Sequence, residues 1–404
     1  MRLAISFAAL FLSIALVQLG SGGLGPLDAL SGIARGFTTT QIGLLGSGHF
    51  VGFFIGCWLA PRLMGAIGHI RAFAAFAAVG AAGAVAHPLW FDAHFWAALR
   101  VLTGFAVAGA YTVTEVWMQA KLTNAIRGRV LGVYRMVDMG ASMLAQTLVA
   151  VLEPAAYVSY NILTILCIAC LLPLTLTNQT EPETPEAPRM RPMLAIRLSP
   201  LGVAGIMVSG VTSPAFRMVG PIYGTEIGLR PSEIGFYLAA AVLGGALSQI
   251  PVGWLADKFD RRWVLIGVSA AAAIVCTSIA VLAPAGNAAY AAIFAFGFVT
   301  WPVFSVSAAH ANDYADAETR TDLNAAMLFL YGIGAIFAPT LASYLVALQG
   351  PAALFWLISA AHALLILFGF YRMTRRPAAA ERTAYHYTPR TSFLIGRLLR
   401  RHRG

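Results

Sequence analysis

The chain has 404 residues, 59% of them hydrophobic and only 11% charged, with a mean hydropathy of +0.74 and a formal net charge of +10. Soluble domains carry about 25% charged residues, so water is excluded as the main solvent. The positive charge lies between apolar runs, not in one basic patch, which argues against nucleic acid as a partner.

A helix crosses ~30 Å of hydrocarbon with roughly 20 mostly apolar residues. Twelve such runs are predicted, at 4–25, 43–64, 72–90, 94–118, 129–152, 156–177, 199–222, 233–254, 264–284, 289–312, 323–347 and 351–372. The first continues through GSGGLGPL without a small-x-small cleavage site and is read as a retained helix, not a signal peptide. In the second, Gly48, Gly52 and Gly56 repeat every four residues, which predicts close helix contact. Cys57, Cys167, Cys170 and Cys276 all fall within apolar runs, so no disulfide framework is expected.

Basic residues alternate by connection. With an internal N-terminus, the even-numbered connections and the two tails hold 22 of the 27 Lys and Arg residues, and the opposite loops hold only Arg35 and Arg230. Basic loops resist translocation, so both termini are expected in the cytoplasm of a bacterium, with the chain in its inner membrane. The tail TSFLIGRLLRRHR, residues 391–403, can form an amphipathic helix on that surface.

The chain also repeats itself. TTTQIGLL (38–45) matches RPSEIGFY (230–237), each after a Gly-Pro-aliphatic step, and PRLMGAIGHIR (61–71) matches GWLADKFDRRW (253–263). This divides the protein into a bundle at 1–177, a polar, Pro-rich linker at 178–198, a second bundle at 199–372 and a basic tail at 373–404. With these segments, together with RVLTGFAVAG, RGRVLGVY and AHANDYAD, the sequence resembles the major facilitator superfamily and, within it, the bacterial YcaD-like branch. The resemblance implies an all-α polytopic membrane protein with twelve transmembrane helices in two pseudo-symmetric six-helix bundles, the major facilitator fold. The family's Gly-x-x-x-Asp-basic-x-Gly-basic-basic motif is clearer in the second half, as Gly253, Asp257, Lys258, Arg261 and Arg262, with Asp260 replacing the second Gly. The first half has Gly65 where Asp is expected.

The resemblance implies that Asp257 faces the start of the fifth helix, where Arg127 and Arg129 add to the positive N-terminus. Together with Lys258, Arg261 and Arg262 these residues are expected to form a cytoplasmic gate. The alternative is topogenic charge alone. In the first half the signs are reversed, with Arg62, His69 and Arg71 opposite Asp316, Glu318 and Asp322.

Ionisable groups within spans are costly and face a cavity or a partner. Candidates for the substrate cavity or proton coupling are Asp28, Arg100, Tyr111, Glu115, Arg135, Asp138, Arg217 and Trp301. Arg135 and Asp138 are three apart on one helix face, which allows an ion pair. Glu115 is placed to pair with Arg135 or to carry a proton. Arg100 with Gly104 matches the family's R-x-x-x-G, to which the resemblance assigns proton coupling or cavity lining. Arg217 sits between Pro214 and Pro221, where it either attracts an anion or reaches the interface, and Tyr111 and Trp301 suit stacking or packing.

Three function classes compete. No phosphate loop, H-E-x-x-H or G-x-S-x-G occurs in the sequence, so ATP-driven transport and intramembrane hydrolysis are disfavoured. No cofactor or metal is expected. A secondary transporter leads, acting as a monomer by alternating access. Its expected reaction is proton-coupled import of a small planar or heterocyclic nutrient, with a riboflavin-like vitamin as one possibility. Export of hydrophobic compounds is the alternative, and a non-transporting membrane sensor is the alternative of another class.

Overall fold

The computed structural model describes residues 2–122, 126–176, 191–316 and 319–375. We label the spanning helices α1 (Phe7–Ala34), α2 (Thr39–Ile67), α3 (His69–Leu89), α4 (Ala93–Ala120), α5 (Arg127–Val149) and α6 (Tyr157–Thr175) in the first half. The second half has α7 (Pro200–Glu226), α8 (Pro231–Lys258), α9 (Arg261–Leu282), α10 (Asn287–Asn312), α11 (Arg320–Gln349) and α12 (Ala353–Arg375). Eleven are long and apolar enough to cross a bilayer. The twelfth, α5, has the length but carries Arg127, Arg129, Arg135 and Asp138, which lower its hydropathy. All the described secondary structure is helical, as the sequence led us to expect.

The first six helices form one compact unit and the last six another. Each is built by the same pairings. Helices α2 and α4, α1 and α5, and α3 and α6 pack together in the first bundle, and α8 with α10, α7 with α11, and α9 with α12 in the second. Local signals are repeated too. Gly36 and Gly228, at φ of 76° and 86°, take the left-handed turn that a side chain resists just before α2 and α8. Gln41 and Glu233 then reach back to the N–H groups of Thr38 and Arg230, each at 2.8 Å.

Small residues set the tightest contacts. A Cβ on Gly52 would lie 1.8 Å from the Val101 carbonyl oxygen, and one on Gly104 would lie 1.9 Å from that of His49. Gly48 and Gly56 also meet α4 backbone, so the expected contact stripe on α2 is present and its partner is α4. In the second bundle Gly244 and Gly297 take these places, against Phe294 and Ala241. Large apolar side chains such as Ile165, Ile250, Phe337 and Leu364 remain exposed, as a surface solvated by lipid tails allows.

Two local features add to these expectations. The linker placed at 178–198 ends in a short helix, Pro192–Leu198, which packs on α11. Pro192 at the first turn favours the helix, and Leu194, Ala195 and Leu198 give it an apolar side. His69, grouped by sequence with the charges Arg62 and Arg71, is 1% exposed and meets Trp117 edge-on at 6.0 Å. The four cysteines are unbridged. The tail 391–403 and most of the linker lie outside the described residues.

Candidate functional site

The intramembrane charges of the first bundle fall into two polar groups with different exposure. The first is enclosed. The Asp28 Oδ2 atom lies 3.5 Å from Arg100 Nε and 3.5 Å from His87 Nε2, and Tyr160 donates its hydroxyl to Oδ1 at 3.0 Å. The Asp28 and His87 side chains are 0% exposed and that of Arg100 4%. His87 Nδ1 lies 2.7 Å from the Gly83 carbonyl, which can only accept, so this nitrogen carries the proton of that bond. The imidazole also stacks on Tyr160 at 5.2 Å. Burying a carboxylate is tolerable only with this density of partners.

The second group is more open. Arg135 donates to Asp138 Oδ2 at 2.7 Å, confirming the ion pair expected from their spacing, and the two side chains keep 22% and 17% exposure. The Tyr111 hydroxyl lies 2.7 Å from Asp138 Oδ1 and 2.6 Å from Gln18 Oε1. It has one proton, so it donates to one of these oxygens at a time. Nearby, Tyr134 donates to Glu115 at 2.8 Å. Glu115 thus has a phenol partner that neither of its two expected roles named.

In the second bundle the strongest polar cluster is at the α8–α9 turn. Arg261 is 1% exposed and donates to Asp313 at 2.5 Å, to the Ala309 carbonyl at 3.0 Å and to that of Ala256 at 3.2 Å. Asp257, half exposed, lies 3.4 Å from the same guanidinium. The motif is thus an inward-facing clasp between α8, α9 and the end of α10. Asp260 caps α9, accepting from the Arg262 backbone N–H at 2.9 Å and pairing with its side chain at 2.7 Å. Burial opposes ionisation of Asp260, but the hydrogen bonds and charge of Arg262 outweigh it and hold the carboxyl below its ordinary range.

The remaining candidates are more dispersed. Lys258 lies over Trp254 at 4.8 Å, Arg129 is exposed, and the Arg127 side chain is outside the described residues. Arg217 is half buried in α7. Trp301 packs so tightly on Gly245 that a Cβ there would lie 2.2 Å from its ring. Sequence reasoning missed Gln18, His87, Tyr134, Tyr160 and Asp313. Only Asp313, inside the quoted AHANDYAD, and Tyr134, at the end of the quoted RGRVLGVY, carried a signal.

Twelve helices in two internally matched bundles, with paired charges in the membrane, define a polytopic solute-transporter fold. The description "Major Facilitator Superfamily" matches residues 201–403, half of the chain. The chain belongs to the Major Facilitator Superfamily. It is 29% identical over 313 residues to an MFS-type transporter of Enterobacter sp. (strain 638), covering 76% of this chain and 80% of that one. It is 28% identical over 315 residues to the MFS-type transporter YcaD of Salmonella arizonae, with the same coverage. Among solved structures, the nucleoside transporter NupG is similar at a TM-score of 0.75 and 13% identity, covering 92% of this chain and 99% of that one. The D-xylose-proton symporter is similar at 0.71 and 14%, covering 95% and 99%. At these identities the likeness to the two structures is one of fold.

Proposed function

We propose that the protein is a proton-coupled importer of a small organic nutrient, with Asp138 as the group that exchanges its proton when solute binds. The observation that carries this reading is the Asp138–Arg135–Tyr111–Gln18 set, which combines a carboxylate, a fixed cation and two neutral hydrogen-bonding groups with partial exposure. Protonating Asp138 removes its charge and loosens Arg135, which is then available to a carbonyl or anionic oxygen of the solute. Releasing the proton restores the pair and expels that oxygen. One carboxylate thereby links proton and solute occupancy.

Asp28 has a different part in this reading. Its partners are arranged on several sides and it has no exposure, so it holds α1, α3, α4 and α6 together. Orientation follows the basic connections, which places both termini and the α8–α9 turn in the cytoplasm. The solute class is a nutrient with polar edges, and a planar heterocycle fits the phenol and guanidinium beside Asp138.

The test is uptake into proteoliposomes of labelled nucleosides, sugars and vitamins under an inward proton gradient. A transported compound should accumulate, and an uncoupler should abolish its accumulation. Asp138→Asn should retain exchange of preloaded label and lose accumulation. Uphill uptake by Asp138→Asn equal to wild type, at equal incorporation, would remove Asp138 from the coupling path.

A further inference from the structure

The second bundle contains a small, shallow cleft where the start of α7, the start of α9 and the ends of α10 and α12 meet. Ser199, Leu201, Arg262, His310, Tyr314 and Arg372 line it. The first turn of α7 is oriented to favour negative charge. Ser199 already accepts from the Gly202 N–H at 3.3 Å and Pro200 has no N–H, which leaves Leu201 to present a first-turn donor. His310 is 5% exposed and meets Tyr314 edge-on at 5.3 Å.

Two of the lining positions are apolar in the first bundle. His310 stands thirteen residues past Gly297, as Trp117 does past Gly104, and Arg262 is the second residue of α9, as Ile70 is of α3. Trp117 and Ile70 belong to the apolar core of their bundle. The polar lining at these two positions is therefore particular to the second half among the described residues.

Charge and position together select a ligand. Arg262 is balanced by Asp260 at 2.7 Å, so among the described lining residues the fixed positive excess is the charge of Arg372. One negative charge matches it, as a phosphodiester carries. Beside the cleft, on the same two helices as Arg262 and Arg372, the exposed rings of Trp263 and Phe370 meet at 6.0 Å. Exposed aromatics of this kind mark the headgroup level of a bilayer. We infer that the cleft is a binding site for the phosphodiester headgroup of an anionic phospholipid, held by Arg372, Arg262, His310 and the first turn of α7. The inference does not depend on which solute is transported.

The experiment uses the full chain in detergent with mixed phosphatidylglycerol and phosphatidylcholine, with bound lipid read by native mass spectrometry. Wild type should retain phosphatidylglycerol preferentially, Arg372→Gln should lose about fivefold in retention, and Arg372→Lys should recover part of it. Arg230→Gln, at an exposed position on the far end of α8, should behave as wild type. Melting in phosphatidylcholine alone checks that each variant is folded. In a second arm, inorganic phosphate replaces the lipid. Stabilisation by phosphate that needs Arg372, without any preference for phosphatidylglycerol, would overturn the lipid assignment in favour of a soluble phosphate. Equal phosphatidylglycerol retention by folded Arg372→Gln and wild type would overturn the site.

Discussion

The two bundles share a frame and differ in what fills it. In the first, Asp28 stands two residues past Pro26, and in the second, Tyr223 stands two residues past Pro221. Asp28 meets His87 and Tyr160, whereas Tyr223 meets the Ile279 carbonyl at 3.5 Å and the Phe355 ring at 4.8 Å. His87 and Ile279 each lie eighteen residues beyond the start of their helices. Likewise Tyr111 bonds Asp138, while their counterparts Phe304 and Tyr331 pack edge-on at 5.6 Å. At the α8–α9 turn the contrast is reversed: Arg261 clasps Asp313, but its counterpart His69 rests on Trp117. The lesson is that helix pairing is carried by repeated glycines and caps, which leaves the polar positions free to specialise. One half holds buried charge within the membrane, and the other holds it at a turn.

The largest test of this contrast removes one partner of a buried pair. Asp313→Leu removes the buried carboxylate partner of Arg261, and Asp28→Leu removes that of Arg100, so each should cost about 3–5 kcal/mol, read as a fall in melting temperature in detergent. Tyr223→Phe, at the counterpart of Asp28, loses one long hydrogen bond and should cost under about 1 kcal/mol. Equal losses in Asp28→Leu and Tyr223→Phe would erase the distinction between the halves. The next test concerns what they share. Gly52→Ala and Gly244→Ala both drive a methyl into backbone carbonyls, and each should cost about 1–3 kcal/mol; a large cost in one alone would show that the α2–α4 and α8–α10 contacts are not equivalent.

The smallest effect is electrostatic. Asp260 caps α9, whereas Gly68 stands in its place before α3. Asp260→Ala should cost about 1 kcal/mol at neutral pH. Because the folded carboxyl titrates below its ordinary range, its contribution is complete above that range and is lost as pH falls through the lower folded value. Melting curves between neutral and acidic pH should therefore converge for wild type and Asp260→Ala, and a constant gap would contradict the cap.

Much of the frame was legible because it depends on local pattern. Span lengths, the Gly48-Gly52-Gly56 stripe and the repeat at 38–45 and 230–237 follow from spacing alone. The Arg135–Asp138 pair was legible for the same reason, since one helix brings its own residues together. Contacts that join distant helices were not. Nothing near His87 in the sequence announces Asp28, and nothing near Gln18 announces Tyr111. Asp257 drew attention as the motif carboxylate, yet Asp313 is the buried partner of Arg261, because only the packing of α10 against α9 brings it there. His69 groups with the charges Arg62 and Arg71 by sequence, which does not show that Trp117 covers it.

The central claim is that the first bundle couples solute to protons through Asp138, whereas the matching position in the second is Tyr331, which packs edge-on against Phe304 and carries no carboxylate. The direct measurement is uphill uptake and exchange of a transported compound in proteoliposomes carrying Asp138→Asn or Tyr331→Phe at equal incorporation. Asp138→Asn should keep exchange and lose accumulation, and Tyr331→Phe should keep both. Accumulation that survives in Asp138→Asn, or that fails in Tyr331→Phe with exchange intact, would contradict the account.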